Sequence, residues 1–238
     1  MGMEDRMLAR VKGKINRIGF STYEPTKVFM QQILSSDDTD FLDELMKFMF
    51  AKASVETTYC PLYAKLIHEL GDEFPHFRVI AHTLFRDYIT AFAHVDAGTE
   101  PDPGSEDYEA FQAAQERKRA RRGYSQFVAE LVKLGEVDVP AFTVLLTEIV
   151  GVIEANHTVA DHTLMCEEYI DCLAMMCTSA STILTACAAW SAPLAARIAA
   201  LATKPRAEVP GLTNKARFAL MDLADAARRG WRAGASTT

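Results

Sequence analysis

The stretch DVPAFTVLLTEIVGVIE, residues 138–154, decides the fold class. Phe142, Leu145, Leu146, Ile149, Val150 and Ile153 return at three- and four-residue steps, which puts them on one face of a helix that must bury it. Asp138 stands at the N-cap position and Pro140 in the first turn, where a helix has no use for the missing N–H. Working outward, the same period recurs. In TDFLDELMKFMFAKA, residues 39–53, Phe41, Leu45, Phe48 and Met49 share one side, and Asp40, Asp43 and Glu44 occupy the first turns, where the helix dipole favours acids. In NKARFALMDLADAARRGW, residues 214–231, Phe218, Met221, Leu223, Ala224 and Ala227 make the stripe. There Asp225 reaches Arg228 or Arg229 along the outer face, Gly230 is the expected left-handed stop, and Trp231 is expected to fold over the helix end.

Strand signals are nearly absent: no Asn-Gly or Asp-Gly turn joins alternating β-branched runs. The pattern predicts helices near 5–18, 24–35, 39–53, 58–71, 76–94, 106–135, 138–154, 159–177, 180–202 and 212–229. Short joints make successive helices antiparallel neighbours. The longer breaks are surface loops near 95–105, in the acidic HVDAGTEPDPGSEDY, and at 203–211. Residues 1–238 therefore read as a single all-α domain. Its spacing suggests a right-handed α-solenoid of about five antiparallel helix pairs, HEAT-type units of roughly 40 to 47 residues. A compact helical bundle fits the same helices.

A hydrophobic content of 49% over 238 residues is that of a well-cored globular protein. No apolar run approaches the roughly 20 residues of a membrane span; the longest candidate, residues 174–196, is diluted by Ser and Thr and broken by Pro193. The start MGMEDRM lacks the basic flank and apolar core of a signal peptide, so a soluble, cytoplasmic protein without a membrane partner is expected. Cys60, Cys166, Cys172, Cys177 and Cys187 form no C-x-x-C pair and read as free, mostly buried thiols. A net charge of −7 argues against a surface that grips nucleic acid all over, though a local basic strip remains open.

Catalytic motifs are missing. No phosphate loop, dinucleotide fingerprint or H-E-x-x-H occurs, and the Gly13-Lys14 pair lacks the upstream glycine of a phosphate loop. Glu73 and His76 form a lone Glu-x-x-His with Pro75 inside it, whereas a di-metal bundle needs two such pairs. His157, His162 and Cys166 are close in sequence, but the simpler reading puts His157 at a helix start, His162 in solvent and Cys166 in the core. Cys60 lacks an assignable histidine partner. The expectation is no enzyme, no metal and no cofactor.

The run QERKRARRGYSQF is different: Arg117, Lys118, Arg119, Arg121 and Arg122 crowd together beside Tyr124 and Phe127. Such a run is a solvated helix face, an RNA phosphate contact with an aromatic neighbour, or an intramolecular charge contact. Lys204 and Arg206 could extend the strip.

Four blocks, in order, resemble the middle domain of eukaryotic translation initiation factor 4G. ARVKGKINRIGF carries Lys12, Ile15, Asn16 and Ile18; FMFAKASVETTYCPLYAKLIHEL carries Phe50, Lys52, Ala53, Glu56, Tyr59, Tyr63 and Ala64. RRGYSQFVAELVKLGEV carries Arg121, Arg122, Gly123, Phe127, Glu130, Leu131 and Lys133, with Tyr124 where the family usually has Asn. The last helix carries Lys215, Arg217, Phe218, Asp222, Asp225, Arg228 and Trp231. The resemblance implies a HEAT-repeat scaffold that binds and activates the DEAD-box helicase initiation factor 4A and contacts RNA as mRNA is recruited to the ribosome. Helicase contacts are then expected at Lys12, Ile15, Asn16, Ile18, Glu56, Tyr59, Tyr63, Phe127 and Glu130, and RNA contacts at Lys118, Arg119, Arg121, Arg122, Lys204 and Arg206. Cap-binding and other initiation factors would attach outside this domain. The same domain type also serves scaffolds of mRNA decay, splicing and cap binding.

Overall fold

The computed structural model describes residues 3–35, 41–92 and 108–232. The expected loop near 95–105 lies outside the described residues. Among the described residues there are eleven α-helices: α1 Met3–Ile15, α2 Tyr23–Leu34, α3 Leu42–Val55, α4 Cys60–Glu73, α5 Pro75–Phe92, α6 Tyr108–Lys133, α7 Val139–Asn156, α8 Thr163–Ser179, α9 Ser181–Ala186, α10 Ala188–Ala202 and α11 Asn214–Arg228. Among the described residues there is no strand.

α7 forms as its sequence dictates. The Asp138 carboxylate accepts the Ala141 N–H at 2.6 Å, and Phe142, Leu145, Leu146, Ile149, Val150 and Ile153 are all buried. Its 18 residues are also apolar enough by length and composition to cross a membrane, which corrects the expectation that no segment comes near that limit. Here the apolar face packs against α8 and α10. The expected helix over 180–202 is two helices, and the interruption falls at Cys187 rather than Pro193, which lies inside α10.

Helices α2, α4, α6, α8 and α11 follow one another as packed neighbours; α1 packs on α3, α3 on α5, and α7 on α10. Side chains joined across these contacts repeatedly lie 42 to 48 positions apart. Gln31 donates to Glu73, Tyr23 to Glu69, Arg197 to Glu154, Thr213 to Glu167, and Lys215 to Asp171 and Glu167. Between α4 and the end of α6 the step lengthens: His68 meets Glu136 across 68 positions, a span that takes in the whole of α5.

The tightest approach is between α3 and α6. At Gly123 a Cβ would overlap the Ser54 carbonyl and lie 2.8 Å from the Ser54 Cα, so only glycine lets the two backbones meet there. Phe50 and Phe127 then pack edge to face beside it, ring centroids 4.9 Å apart.

The register of α11 differs from expectation. Ala216, Leu220, Leu223 and Ala224 face the core, whereas Phe218 and Met221 are 66% and 46% exposed. Leu220 lies two residues from Phe218, about 200° around a helix, so one cannot be buried without exposing the other. The helix stop matches expectation: the Trp231 N–H reaches the Ala226 carbonyl at 2.7 Å and the Gly230 N–H reaches Ala227 at 2.9 Å, the paired bonds of a Schellman ending, with Gly230 at φ 68°. Trp231 is buried over the end, and Arg228 pairs with Asp225.

Candidate interaction surface

The resemblance residues separate into two groups. Ile15, Ile18, Tyr63 and Phe127 are core residues, three of them with no exposed surface, so the expectation that they touch a helicase is corrected: their side chains are spent on internal packing. Tyr63 instead builds the edge from within. Its hydroxyl donates to Glu56 at 2.6 Å and approaches the Ile15 carbonyl at 3.4 Å, tying α4 to the ends of α1 and α3. Burial, then the hydrogen bond to Glu56, pushes this phenol well above its ordinary range. Glu56 also receives Lys52, so it is part of that brace. Glu130 is nearly buried and pairs with Lys133 at 2.7 Å.

Four of the expected residues remain accessible, the half-buried Glu56 among them. Asn16 is exposed after α1, Tyr59 is exposed before α4, and Lys12 reaches Glu44 at 2.5 Å while lying over the Phe48 ring. The structure adds one residue that the sequence did not single out: Phe20, 77% exposed, packs against Tyr59 with ring centroids 6.2 Å apart. Val55, at the end of α3, is exposed as well. Exposed aromatic side chains are among the residues that most often anchor a protein interface.

A groove of roughly 790 Å³ runs between α6 and α8 from Thr57, in the turn that carries Tyr59, to Lys215 on α11. Lys118, Arg119 and Arg122 line its α6 wall; Glu167 and Asp171 line the other. Arg121 pairs with the nearly buried Glu168 between the helices, which is the intramolecular charge contact among the three readings of the run, made with α8. Tyr124 and Phe127, the aromatics beside the run, turn away from it and pack on Phe50. Lys204 and Arg206 do not extend the strip into this groove. The Arg206 guanidinium holds the Val209 and Leu212 carbonyls of its own loop, and the Lys204 charge acts on Glu154.

A buried carboxylate cluster had no local signal in the sequence. Glu136 follows Gly135 at the end of α6, with its side chain 4% exposed, and receives Arg78 Nε at 3.0 Å, His68 Nδ1 at 2.7 Å and His82 Nε2 at 3.4 Å. Burial opposes its charge, but the hydrogen bonds from His68 and Arg78 and their charges win and hold the carboxyl below the ordinary range. Arg78 also grips Asp72, so the cluster locks α4, α5 and the end of α6 together.

Metal and nucleophile candidates separate. Among the described residues no His, Cys, Asp and Glu group has the arrangement of a metal site. His157 caps the end of α7 instead of starting a helix and is buried, its Nδ1 at 2.7 Å from the Glu154 carbonyl. His162, expected in solvent, is half-buried because its ring packs against Asn156 with Nδ1 2.7 Å from the amide oxygen, whereas Cys166 is in the core as expected. Burial, with Glu130 adding to it, pushes the Cys60 thiol far up, and burial holds Cys172 up to about 12, so both are protonated and poor nucleophiles. Compared with models of known protein families, the chain matches none.

Proposed function

We propose that this chain is a non-catalytic cytoplasmic scaffold of the initiation factor 4G middle-domain kind, which docks the DEAD-box helicase initiation factor 4A on the edge formed by the α1–α2 and α3–α4 turns. The observation that carries this is the exposed Phe20–Tyr59 pair, braced from beneath by Tyr63 and Glu56 in the blocks that resemble the family. The finer architecture belongs to the same proposal: a right-handed solenoid of helix pairs. It is supported by the cross-helix partners that recur 42 to 48 positions apart, the length of one two-helix repeat.

A scaffold of this kind does no chemistry. A partner that touches both lobes of a two-lobed helicase favours the closed arrangement by the contacts it makes only there, which shifts the population and raises turnover. RNA contact at the basic run is not part of the proposal. With Tyr124 and Phe127 packed inward, the basic run keeps phosphate attraction but offers no stacking surface. Mixing the purified chain with initiation factor 4A, RNA and ATP is expected to give a complex and faster ATP turnover. A flat rate without a complex refutes the proposal, and recovery of decay or splicing factors without the helicase assigns the chain to that other group of scaffolds.

A further inference from the structure

The groove between α6 and α8 has walls of opposite charge, and its balance selects an occupant. On the α8 side each acid has a partner, but Lys215 alone serves two of them. The Lys215 ammonium lies 2.8 Å from Glu167 and 2.9 Å from Asp171, the Thr213 hydroxyl donates to Glu167 at 2.5 Å, and Arg121 pairs with Glu168. Burial opposes the charge of Glu167, but Lys215 and Thr213 outweigh it and keep the carboxyl below its ordinary range. On the α6 side Arg119 and Arg122 are exposed and make no ion pair among the described residues. The positive charge without a counter-charge is therefore confined to the α6 wall, while the α8 acids outnumber their basic partners by one. Leu164 and Met175, both half-buried on α8, add apolar surface at the two ends of the opposite wall, on either side of Glu167 and Asp171.

The geometry points to an acidic amphipathic helix of a protein partner as the occupant of this groove. Each wall is a single helical stripe: Gln115 to Gln126 on α6 and Leu164 to Met175 on α8. At 1.5 Å per residue each stripe is about 16 Å long, room for about three turns of a third helix. Such a helix would set acidic side chains against Arg119 and Arg122 and an apolar side chain near each end over Leu164 and Met175, with polar side chains over Glu167 and Asp171 between them. Nucleic acid fits less well. An evenly charged backbone would set phosphates against Glu167 and Asp171 as well as against the arginines, and no residue lining the groove is aromatic, so bases find nothing to stack on. Phe20 and Tyr59 do not line the groove, and this docking is independent of the helicase reading.

The test uses the full chain and a fluorescent, capped amphipathic peptide of about four helical turns, with a leucine near each end of one face, glutamates on the adjoining face, and alanine and glutamine elsewhere. Saturable binding is expected by anisotropy, weakening as salt is raised. Arg119→Glu with Arg122→Glu, checked for folding by circular dichroism, is expected to lower affinity by about tenfold or more. The same peptide with lysines in place of its glutamates is expected to bind the reversed variant better than the wild type. No saturable binding to the wild type, equal binding by the variant, or displacement of the peptide by an oligouridylate that itself loses affinity in the variant would overturn the inference. Helicase binding by the same variant is expected to be unchanged, which separates a failure here from a failure of the helicase proposal.

Discussion

Replacing Gly123 by alanine perturbs the contact that fixes α3 against α6 and, through them, both the aromatic edge and the groove. The added Cβ would overlap the Ser54 carbonyl, and the obstacle is backbone, with no flexible side-chain tip to yield. The helices must then part by more than about 1 Å, in an interior packed as densely as an organic crystal. Helix propensity favours the substitution by about 1 kcal/mol. Against it stand an overpacking cost of about 3 kcal/mol, at the top of the usual range, and about 1 kcal/mol from the disturbed edge-to-face contact of Phe50 with Phe127. The net loss is about 3 kcal/mol, which in a domain of this size lowers Tm by about 6–12 °C. Thermal and urea unfolding followed by circular dichroism measure it. Gly13→Ala is the control: nothing lies within 4 Å of its Cβ, and propensity alone should leave that variant as stable as the wild type or more so. A Gly123→Ala midpoint within about 2 °C of the wild type would refute the close approach of the two helices.

Other outcomes follow from the same packing. Glu136→Gln removes the buried charge shared by Arg78 and the histidines, and because these partners are a third to nearly half exposed and Arg78 keeps Asp72, it should cost about 1–2 kcal/mol in urea unfolding. Because the folded carboxyl is held below its ordinary value of 4.5, its stabilisation is complete above that pH and is lost as the pH falls through the folded value. The wild type should therefore lose stability on acidification below about 4.5 more steeply than the Gln variant, and parallel curves would remove Glu136 from that role. On α11, Leu220→Ala should cost about 2–5 kcal/mol and Phe218→Ser less than about 0.5, an order opposite to the one the apolar stripe of the sequence suggests.

Much of the helical framework was legible because period and capping are local. α7 is the clearest case, with Asp138 bonded to Ala141 and all six stripe residues buried. What failed was set by distant partners. In α3, Leu42, Met46 and Phe50 join the buried face while Phe48 stays half-buried beneath the Lys12 ammonium, a choice made by α1 and α6. In α11, alanine and leucine flank every turn, and two adjacent faces looked equally apolar until α8 and α10 selected one of them. The turn residues of the candidate site were legible only as a family pattern. That pattern did not distinguish Tyr59, which is displayed, from Tyr63, which is buried, and it passed over Phe20. Glu136 gave no signal because its partners sit 54 to 68 positions away. Gly123 appeared as one residue of a block, and only the Ser54 backbone shows why a side chain is not tolerated there.

The edge carrying Phe20 and Tyr59 is tested most directly by titrating initiation factor 4A with the wild-type chain and with the Phe20→Ala and Tyr59→Ala variants, each shown to be folded. Saturable binding that weakens about 30-fold in either variant, the loss of an aromatic hot spot worth about 2 kcal/mol, is the expected result. No saturable binding by the wild type, or binding indifferent to both substitutions, would contradict it.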